Sequence, residues 1–477
     1  MSVTIIFVFV RIQNMEKLIV LLMCILLLGC TQKQDVSQQL AYSNYTDTYL
    51  SFRYPNWPTA ANADPNFLVK NNGSCVFAAA KYPNMPIKLF QNHLENQFGS
   101  SFGGTGNEYL DYSFTSNGTQ FLARSRVFYC NYDTYSITFA CSGSLPSDTS
   151  VLSSASCYKR NLTTMPKLAM IPTPSNDNVS GIVAAIKEAR ENGVDVLDWY
   201  LSWKTLDGNW TVSDYLMEPL AYEGRSAAMV EVIHTTVLPE YPRGYKSFDD
   251  PGFKDDFADF SAEFVKRYKP DYYFVGGEVD DYLYNHRDKI PAFKEILHVT
   301  REKVKQANPT TKFGFVVTYH DALTHNATDI AKTLAPEADL IAYTSYGYTG
   351  AFVFDNISRG VSYLNGVRDI VPGKSYAILE TGWSSSARLN SSEEKQAEFV
   401  REYFTFINST DAEFVKWWGI HDGKNCTESA KSFMTEMPWL ENDASFMVPF
   451  TEYMCSLGLK HSDGTPKKAW GVWQSNT

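Results

Sequence analysis

The sequence predicts an α/β fold in which a (β/α)8 TIM barrel follows a smaller α+β domain. From about Lys167 onward, eight short apolar runs alternate with amphipathic helical stretches. This alternation is typical of repeated βα units, and eight such units close into a barrel. An open doubly wound sheet is the alternative. It is disfavoured because no glycine-rich phosphate-binding motif follows any of the runs.

Residues 1–30 predict an export signal with a lipid anchor. Lys17 precedes the apolar run Leu18–Leu28, which is too short to span a bilayer comfortably and is typical of a signal peptide. The ending Leu27-Leu28-Gly29-Cys30 resembles the lipobox of prokaryotic lipoproteins, which implies lipidation of Cys30 after cleavage. We therefore expect an extracellular protein that is anchored to the cell membrane as a lipoprotein.

The cysteines and the glycosylation motifs agree with export. Of the 8 cysteines, Cys24 and Cys30 lie in the signal region, and the others form an even set without CxxC spacing. Cys426 and Cys455 are the only two in the barrel region, so we expect a disulfide between them. The four earlier cysteines should form two bridges whose pairing stays open. Asn-x-Ser/Thr motifs, which predict a glycoprotein, occur at Asn44, Asn72, Asn117, Asn161, Asn178, Asn209, Asn326, Asn356, Asn390, Asn408 and Asn425.

Composition and charge exclude some partners. Apolar residues make up 44% of the chain, which is enough for a large core, and the 14% of aromatic residues would suit a carbohydrate-stacking cleft. The net charge is −11 and lysine and arginine do not cluster, so no nucleic-acid partner is expected. We expect a monomer without a cofactor or metal.

The segment before the barrel predicts a linker and an accessory domain. Residues 31–45 are polar and predict a linker, and residues 46–160 predict a small α+β domain. The opening Leu50-Ser51-Phe52-Arg53-Tyr54-Pro55 resembles the first strand of PsbP-like and Mog1-like domains. No catalytic set of side chains is evident in this domain. Its predicted elements are strands at 49–54, 75–80, 120–129 and 135–141, and a helix at 87–98.

The barrel is predicted over residues 165–477. The helical stretch 255–268 carries Phe257, Phe260, Phe264 and Val265 at helical spacing, with charges on its other face. Further helices are expected at 182–192, 292–307 and 392–407. The eight runs expected as strands are 168–172, 194–201, 228–235, 272–277, 313–318, 340–344, 376–380 and 414–419.

Two glutamates directly follow apolar runs. Glu278 ends the fourth run and Glu380 ends the seventh. Barrel enzymes carry their reactive groups at the carboxyl ends of the strands, and a charge at the end of a buried strand is costly unless it is used. Glycosidic cleavage needs two facing carboxyl groups, one protonated and one ionised. The two glutamates are therefore the predicted catalytic pair.

With these two positions the sequence resembles clan A glycoside hydrolases, which are retaining (β/α)8 enzymes. The string Glu380-Thr381-Gly382-Trp383 is similar to the motif around the nucleophile in endo-β-1,4-galactanases and β-1,3-glucanases. The resemblance implies that Glu278 is the general acid/base and Glu380 the nucleophile, with a β-linked poly- or oligosaccharide as substrate. The sequence differs from the clan at Gly277, where most members have an asparagine that binds the sugar 2-hydroxyl.

Other strand ends supply candidate substrate contacts. The resemblance implies that Tyr346 hydrogen-bonds the nucleophile, with Tyr348 as second choice, and that Trp417 floors a sugar subsite. The remaining candidates are His234, Trp199, His320 and Trp383, together with Asp198, Trp203 and Asp321. A metal site formed by His234, His320 and Asp321 is the alternative for the histidines, although no close ligand spacing supports it.

Two other classes of function remain open. A catalytically inactive barrel that binds glycans at the cell surface would retain the aromatic cleft, and Gly277 favours it mildly. A structural surface protein would bury the aromatic strand ends and leave no cleft. Hydrolysis of aryl glycosides separates the enzyme from both.

Overall fold

In the computed structural model, two compact units hold the described strands, one those up to Cys157 and the other those from Met165 onward. The structure describes residues 42–46, 50–56, 67–72, 74–82, 85, 87, 90, 103–104, 109–116, 118–130, 133–145, 150–157, 165–171, 179–203, 225–231, 244–245, 247–424, 426–427, 430 and 444–477. The predicted signal region and the predicted anchor residue Cys30 lie outside this part of the chain. In the described residues, no helix is long and apolar enough to cross a membrane.

The first unit consists of two antiparallel sheets. A three-stranded sheet has the order β1-β2-β9 and a six-stranded sheet has the order β3-β4-β8-β7-β6-β5. Both contribute to one core, in which Phe52 of the small sheet packs near Phe77 and Phe139 of the large one. The strands are β1 (Tyr42–Thr46), β2 (Leu50–Pro55), β3 (Phe67–Asn71), β4 (Cys75–Tyr82), β5 (Gly103–Gly104), β6 (Tyr109–Ser116), β7 (Thr119–Cys130), β8 (Asp133–Ser142) and β9 (Ser156–Cys157), with the short helix α1 (Ser150–Ser153) before β9.

The four predicted strands of this unit are confirmed, and two bridges join its cysteines. Cys75 pairs with Cys141 and Cys130 with Cys157, which settles the pairing that the sequence left open. The predicted linker was drawn too long, because residues 42–46 pair with β2 as an antiparallel strand. Most of the predicted helix 87–98 lies outside the described residues.

The second unit contains a closed barrel of eight parallel strands, as the sequence predicted. Each strand pairs with the next along the chain, and the last pairs with the first through Leu168 and Val415. The interior is filled by inward-facing apolar side chains from all around the barrel, among them Phe274, Val316 and Phe414. The strands are β10 (Met165–Ile171), β11 (Val194–Ser202), β12 (Arg225–Glu231), β13 (Tyr272–Val275), β14 (Lys312–Thr318), β15 (Leu340–Thr344), β16 (Ser375–Thr381) and β17 (Val415–Gly419).

The helices of this unit bury one apolar stripe each. In α3 the buried residues include Phe257, Phe260, Phe264 and Val265, which are the positions that the helical spacing predicted. A third disulfide joins Cys426 to Cys455, as expected. The described helices are α2 (Val179–Glu191), α3 (Phe253–Tyr268), α4 (Val279–Asn285), α5 (Ile290–Ala307), α6 (Tyr319–Thr324), α7 (Thr328–Leu334), α8 (Ile357–Gly366), α9 (Glu393–Ser409), α10 (Ala444–Met454) and α11 (Lys468–Gln474).

Candidate active site

Glu380 is turned into the barrel by an irregularity in its strand. Ala342 pairs with Ala377 and Tyr343 with Ile378, but Thr344 pairs with Glu380, so one extra residue is inserted in β16. Such a β-bulge re-aims the following side chain. Because Thr344 continues the inward-facing series of Leu340 and Ala342, its new partner Glu380 also faces the interior, where only 2% of the residue is exposed.

Two tyrosine hydroxyls hold the Glu380 carboxylate. The hydroxyl of Tyr346 donates to Oε2 at 2.9 Å, and the hydroxyl of Tyr200 donates to Oε1. Each oxygen of the carboxyl group therefore accepts one hydrogen bond, which fixes the orientation of the group. The predicted contact between Tyr346 and Glu380 is present. Tyr200, which was not predicted, reaches the same group from β11.

Glu278 leaves the fourth barrel strand through a tight backbone turn. β13 ends at Val275, Gly276 has φ 73°, and Glu278 itself has φ 51° and ψ 42° before α4 begins at Val279. A left-handed conformation is uncommon for a residue with a side chain and is often found where function constrains the backbone. Gly276 accommodates the turn because it lacks a Cβ, which would lie 3.2 Å from Cβ of Val279.

The environment of Glu278 favours its protonated form. Burial, followed by the negative charge of Glu380, raises the pKa of Glu278 from 4.5 to about 7. The carboxyl groups at the ends of β13 and β16 are thus close enough to influence each other, and their surroundings differ. Glu380 accepts two hydroxyl hydrogen bonds, whereas the pKa of Glu278 is raised by burial and by the negative charge of Glu380. Two carboxyl groups in different environments are the usual basis for separate acid and base roles.

Aromatic rings line one side of these glutamates. The rings of Tyr346 and Tyr348 stack with centroids 6.0 Å apart, and Tyr453 of α10 lies 5.4 Å from the first and 5.7 Å from the second. Burial and the nearby Glu380 raise the pKa of the Tyr346 hydroxyl well above its ordinary value. This hydroxyl therefore remains a donor at any working pH.

A buried ion pair lies behind Tyr200. The ammonium group of Lys416 is 2.9 Å from the Tyr200 hydroxyl and forms a salt bridge with Asp198. Burial raises the pKa of Asp198, and the charge of Lys416 opposes that effect. The signal that places Asp198 and Tyr200 together is the strand alternation, because residues two apart on β11 face the same side.

The two predicted tryptophans are fully buried. Trp417 packs among Phe399, Tyr403 and Trp473, and Trp383 packs between Phe354 and Phe399. Both indole N–H groups are used internally, donating to the carbonyl oxygen of Leu457 and the hydroxyl of Ser391 respectively. In this structure neither ring presents a surface to a ligand, so the assignment of both as sugar contacts needs correction.

Trp418, the residue after Trp417, is the tryptophan of β17 that lies beside Tyr346. Met170 of β10 pairs with Trp417, but Ile171 pairs with Gly419. The register shifts by one residue here, and Trp418 has no pairing partner in β10. Trp418 is only partly buried. A Cβ built on Gly382 would lie 3.7 Å from the Cβ of Trp418 and 3.5 Å from Cε1 of Tyr346, which puts Trp418 beside the glutamate-binding tyrosine.

Trp199, His320 and His234 are three further predicted substrate contacts. Trp199 is half-buried and, by strand alternation, faces away from the side that carries Asp198 and Tyr200. His320 is the second residue of α6, which directly follows β14, and its ring centroid lies 5.8 Å from that of Tyr348. His234 lies outside the described residues. Only His320 of these three is seen close to the aromatic lining.

A group of acidic side chains follows β13 and β14. Burial, and next the charge of Asp321, raise the pKa of Asp281 from 3.8 to about 6. Asp280 is buried and its Oδ1 accepts a hydrogen bond from the backbone N–H of Thr318 at 2.8 Å. Within the described part of the chain, no group of three or more His, Cys, Asp or Glu side chains could hold a metal ion.

Comparison with known proteins gives structural neighbours only. No family model matches the chain, and no characterised protein matches it by sequence. An exo-β-1,4-mannosidase from an Opitutaceae bacterium, strain TAV5, has a TM-score of 0.46 at 14% identity over 65% of this chain and 59% of its own.

Two further neighbours are described as glycoside hydrolase domains. GH5_18 from Streptomyces cattleya, solved with GlcNAc, has a TM-score of 0.47 at 15% identity over 66% of this chain and 80% of its own. The GH53 catalytic domain of Ignisphaera aggregans has a TM-score of 0.41 at 14% identity over 59% of this chain and 85% of its own.

Proposed function

We propose that this protein is a retaining glycoside hydrolase that cleaves β-linked poly- or oligosaccharides, with Glu380 as nucleophile and Glu278 as general acid/base. The observation that carries the proposal is the pair of glutamates at the carboxyl ends of β13 and β16, with surroundings that favour opposite protonation states. Glycosidic cleavage by this route requires one carboxyl group of each kind.

The roles follow from the two environments. An ionised Glu380 attacks the anomeric carbon while Glu278 gives its proton to the departing glycosidic oxygen. A glycosyl ester on Glu380 and a free leaving alcohol result. Water then attacks the same carbon, Glu278 takes the proton from that water, and Glu380 is released as a carboxylate. The pKa of about 7 for Glu278 suits a group that first donates and then accepts a proton near neutral pH.

The substrate class is supported by the aromatic side chains near Tyr346, the tyrosine that binds the proposed nucleophile. Tyr348 and the half-buried Trp418 offer aromatic surface beside it, and sugar rings stack on such surfaces. His320 adds a polar edge close to Tyr348. Gly277 provides no side chain for the sugar 2-hydroxyl. We therefore expect a lower rate than an enzyme with an asparagine at that position would reach.

Variants of the two glutamates test the proposal. Glu380→Ala should abolish turnover, and azide should not restore a product of retained configuration. Glu278→Ala should keep activity on aryl glycosides with good leaving groups, because these need no proton. Azide should then accelerate that variant and give a glycosyl azide of retained configuration. The reverse pattern would exchange the two roles, and full activity in both variants would place the reaction elsewhere.

A glycan-binding protein without catalysis is the second candidate, and Gly277 is the observation that favours it. The two functions make different predictions for the wild-type protein on a panel of β-glycans. A hydrolase releases reducing ends, whereas a binding protein retains the glycan unchanged. Calorimetric binding without any product, together with unaltered affinity in Glu380→Gln, would decide for binding alone.

We further propose that the protein is an extracellular, glycosylated lipoprotein that acts as a monomer. The support is the signal region ending at Cys30, together with exposed sequons at Asn44, Asn326, Asn356, Asn390 and Asn408. Cys30→Ala should remove the lipid anchor and move the protein from the membrane fraction to the medium. Fractionation with detergent partitioning measures this. A variant that remains membrane-bound would refute the anchor.

A further inference from the structure

Lys416 is a buried lysine that no step of the proposed mechanism uses. Its side chain and that of Asp198 are both 0% exposed. In the described part of the barrel, the interior also holds a cluster of apolar side chains that includes Val196 and Phe414. The ammonium group also lies 4.4 Å from the centroid of the Tyr200 ring.

The contacts of Lys416 set the direction of a hydrogen-bond chain. An ammonium group only donates, so the Tyr200 oxygen accepts from Nζ of Lys416 at 2.9 Å. The single proton of the Tyr200 hydroxyl is then directed to Oε1 of Glu380. A donor that itself accepts a hydrogen bond from a cation is polarised and becomes a stronger donor. The positive charge of Lys416 therefore acts on Glu380 through one intervening hydroxyl.

Stability alone does not explain the ion pair. Removing two charges from water offsets most of their attraction, and a buried pair can often be replaced by apolar residues without loss of stability. A barrel interior can be closed with apolar side chains, such as the cluster that fills much of the described part of this one. The position of the pair next to a hydroxyl that binds Glu380 points to a role in the site.

We propose that Lys416 is a positioning residue for Glu380, which it keeps ionised and oriented through the hydroxyl of Tyr200. Asp198 holds the ammonium group in place. The kinetic consequences rest on the proposed glycosidase function, whereas the effect on the ionisation of Glu380 does not. The described titratable groups around Glu380 are Tyr200 with Asp198 and Lys416 behind it, Glu278, Tyr346, Tyr348 and Tyr453.

The central experiment is the pH profile of kcat/KM for Lys416→Met on an aryl glycoside with a good leaving group. Such a substrate needs no proton, so the acid limb reports the group that must be ionised. The loss of a charge-assisted hydrogen-bond chain should lower kcat/KM about 10- to 100-fold. The acid limb should also move up by about one pH unit, because a nearby cation no longer favours the carboxylate.

Comparison with Asp198→Asn separates positioning from packing. Asp198→Asn breaks the same ion pair, but the ammonium group of Lys416 can still donate to the Tyr200 hydroxyl. The acid limb of its pH profile should therefore not move up. In a Tyr200→Phe background, Lys416→Met should have no further effect on the profile, because its route to Glu380 is already cut. Equal losses in Asp198→Asn and Lys416→Met, with unmoved acid limbs, would overturn the proposal.

A matched control is the second buried pair, Lys467 with Asp422. The Lys467 ammonium contacts Ser385, Asp422 and the backbone of Ser456 and Gly458. Lys467→Met should lower the melting temperature and leave the pH profile unchanged. If Lys416→Met alone does not fold, the double variant Asp198→Asn/Lys416→Met removes the unpaired charge. That double variant should show the same upward shift of the acid limb, and an unshifted limb would also overturn the proposal.

A readout without turnover keeps this inference separate from the proposed function. Protein labelled with 13C at the glutamate carboxyl carbons can be titrated by NMR, with the Glu380 signal assigned through Glu380→Gln. The titration of that signal should move to higher pH in Lys416→Met. A shift in a protein that hydrolyses no glycoside would refute the glycosidase proposal and support the positioning role. An unshifted Glu380 signal in an enzyme that hydrolyses glycosides would refute the positioning role and support the glycosidase proposal.

Discussion

Replacing Glu278 by glutamine should stabilise the protein at alkaline pH and not at acid pH. The pKa of Glu278 is about 7 in the folded protein and 4.5 for the ordinary group. Between these values the folded protein holds a proton that the unfolded chain releases. The free energy of unfolding therefore decreases as the pH rises from 4.5 to 7. Above pH 7 the ionisation of Glu278 causes no further decrease.

The magnitude follows from the size of the pKa shift. Each pKa unit corresponds to about 1.4 kcal/mol, so the raised pKa costs the folded state about 3 kcal/mol at pH 8 and almost nothing at pH 4. Glutamine has nearly the same shape but no charge. We therefore expect Glu278→Gln to exceed the wild type by up to about 3 kcal/mol at pH 8 and to equal it at pH 4.

Urea denaturation at these two pH values, followed by tryptophan fluorescence, measures the difference. The matched control is Glu398→Gln, at an exposed glutamate of α9, which should change the stability by no more than about 0.5 kcal/mol at either pH. Equal stability of Glu278→Gln and wild type at pH 8 would refute the reasoning. A loss of stability at pH 8 would show that the folded protein stabilises the ionised form of Glu278, which is the opposite of a raised pKa.

Three other outcomes are expected. With substrates that have poor leaving groups, kcat/KM should fall as the pH rises through about 7, where Glu278 loses its proton, and activated aryl glycosides should not show this limb. Tyr346→Phe, which removes the 2.9 Å hydrogen bond to Glu380, should lower kcat about 10- to 100-fold while the circular dichroism spectrum is unchanged. Replacing Cys426 and Cys455 by serine should lower the free energy of unfolding by about 3–4 kcal/mol, from the entropy of the opened loop. An equal midpoint in reduced and oxidised protein would contradict the last expectation.

The barrel was predictable because each strand carries its own local signal. A buried parallel strand is a short apolar run, and the helix that follows it, as in α3, repeats apolar residues on one face. The position of Glu278 and Glu380 after the fourth and seventh runs required nothing beyond the count of runs. Their placement at one end of the barrel follows from the parallel direction of its strands.

The side-chain directions near the strand ends were harder to predict. Alternation puts Trp417 and Trp418 on opposite faces of β17, but it does not say which of them lies beside the site. The pairing irregularity after Met170 depends on the neighbouring strand. The same holds for β16, where an inserted residue turns Glu380 inward. Register shifts arise from pairing between strands, so a single sequence carries little information about them.

Tyr200 and Lys416 were missed for a different reason. The two predicted catalytic residues directly follow apolar runs. Tyr200 and Lys416 instead lie within strands, and their side chains point into the barrel. A lysine inside an apolar run is itself a signal, because an unpaired buried charge is strongly disfavoured. The string Val415-Lys416-Trp417-Trp418 therefore required a partner across the barrel, and β11 supplies it as Asp198.

The opposite states proposed for the two glutamates depend on where each strand stops. The inserted residue in β16 directs Glu380 towards the interior, where hydroxyls from β11 and from the segment after β15 can reach both of its oxygens. β13 instead ends three residues before Glu278, and the glycine turn places that carboxyl above the strand end, beside the charge of Glu380. One carboxyl group thus has donors to stabilise its charge, and the other has a negative neighbour that opposes it. The backbone sets the positions of the two carboxyl groups, so the asymmetry should persist when aromatic side chains other than Tyr200 and Tyr346 are altered.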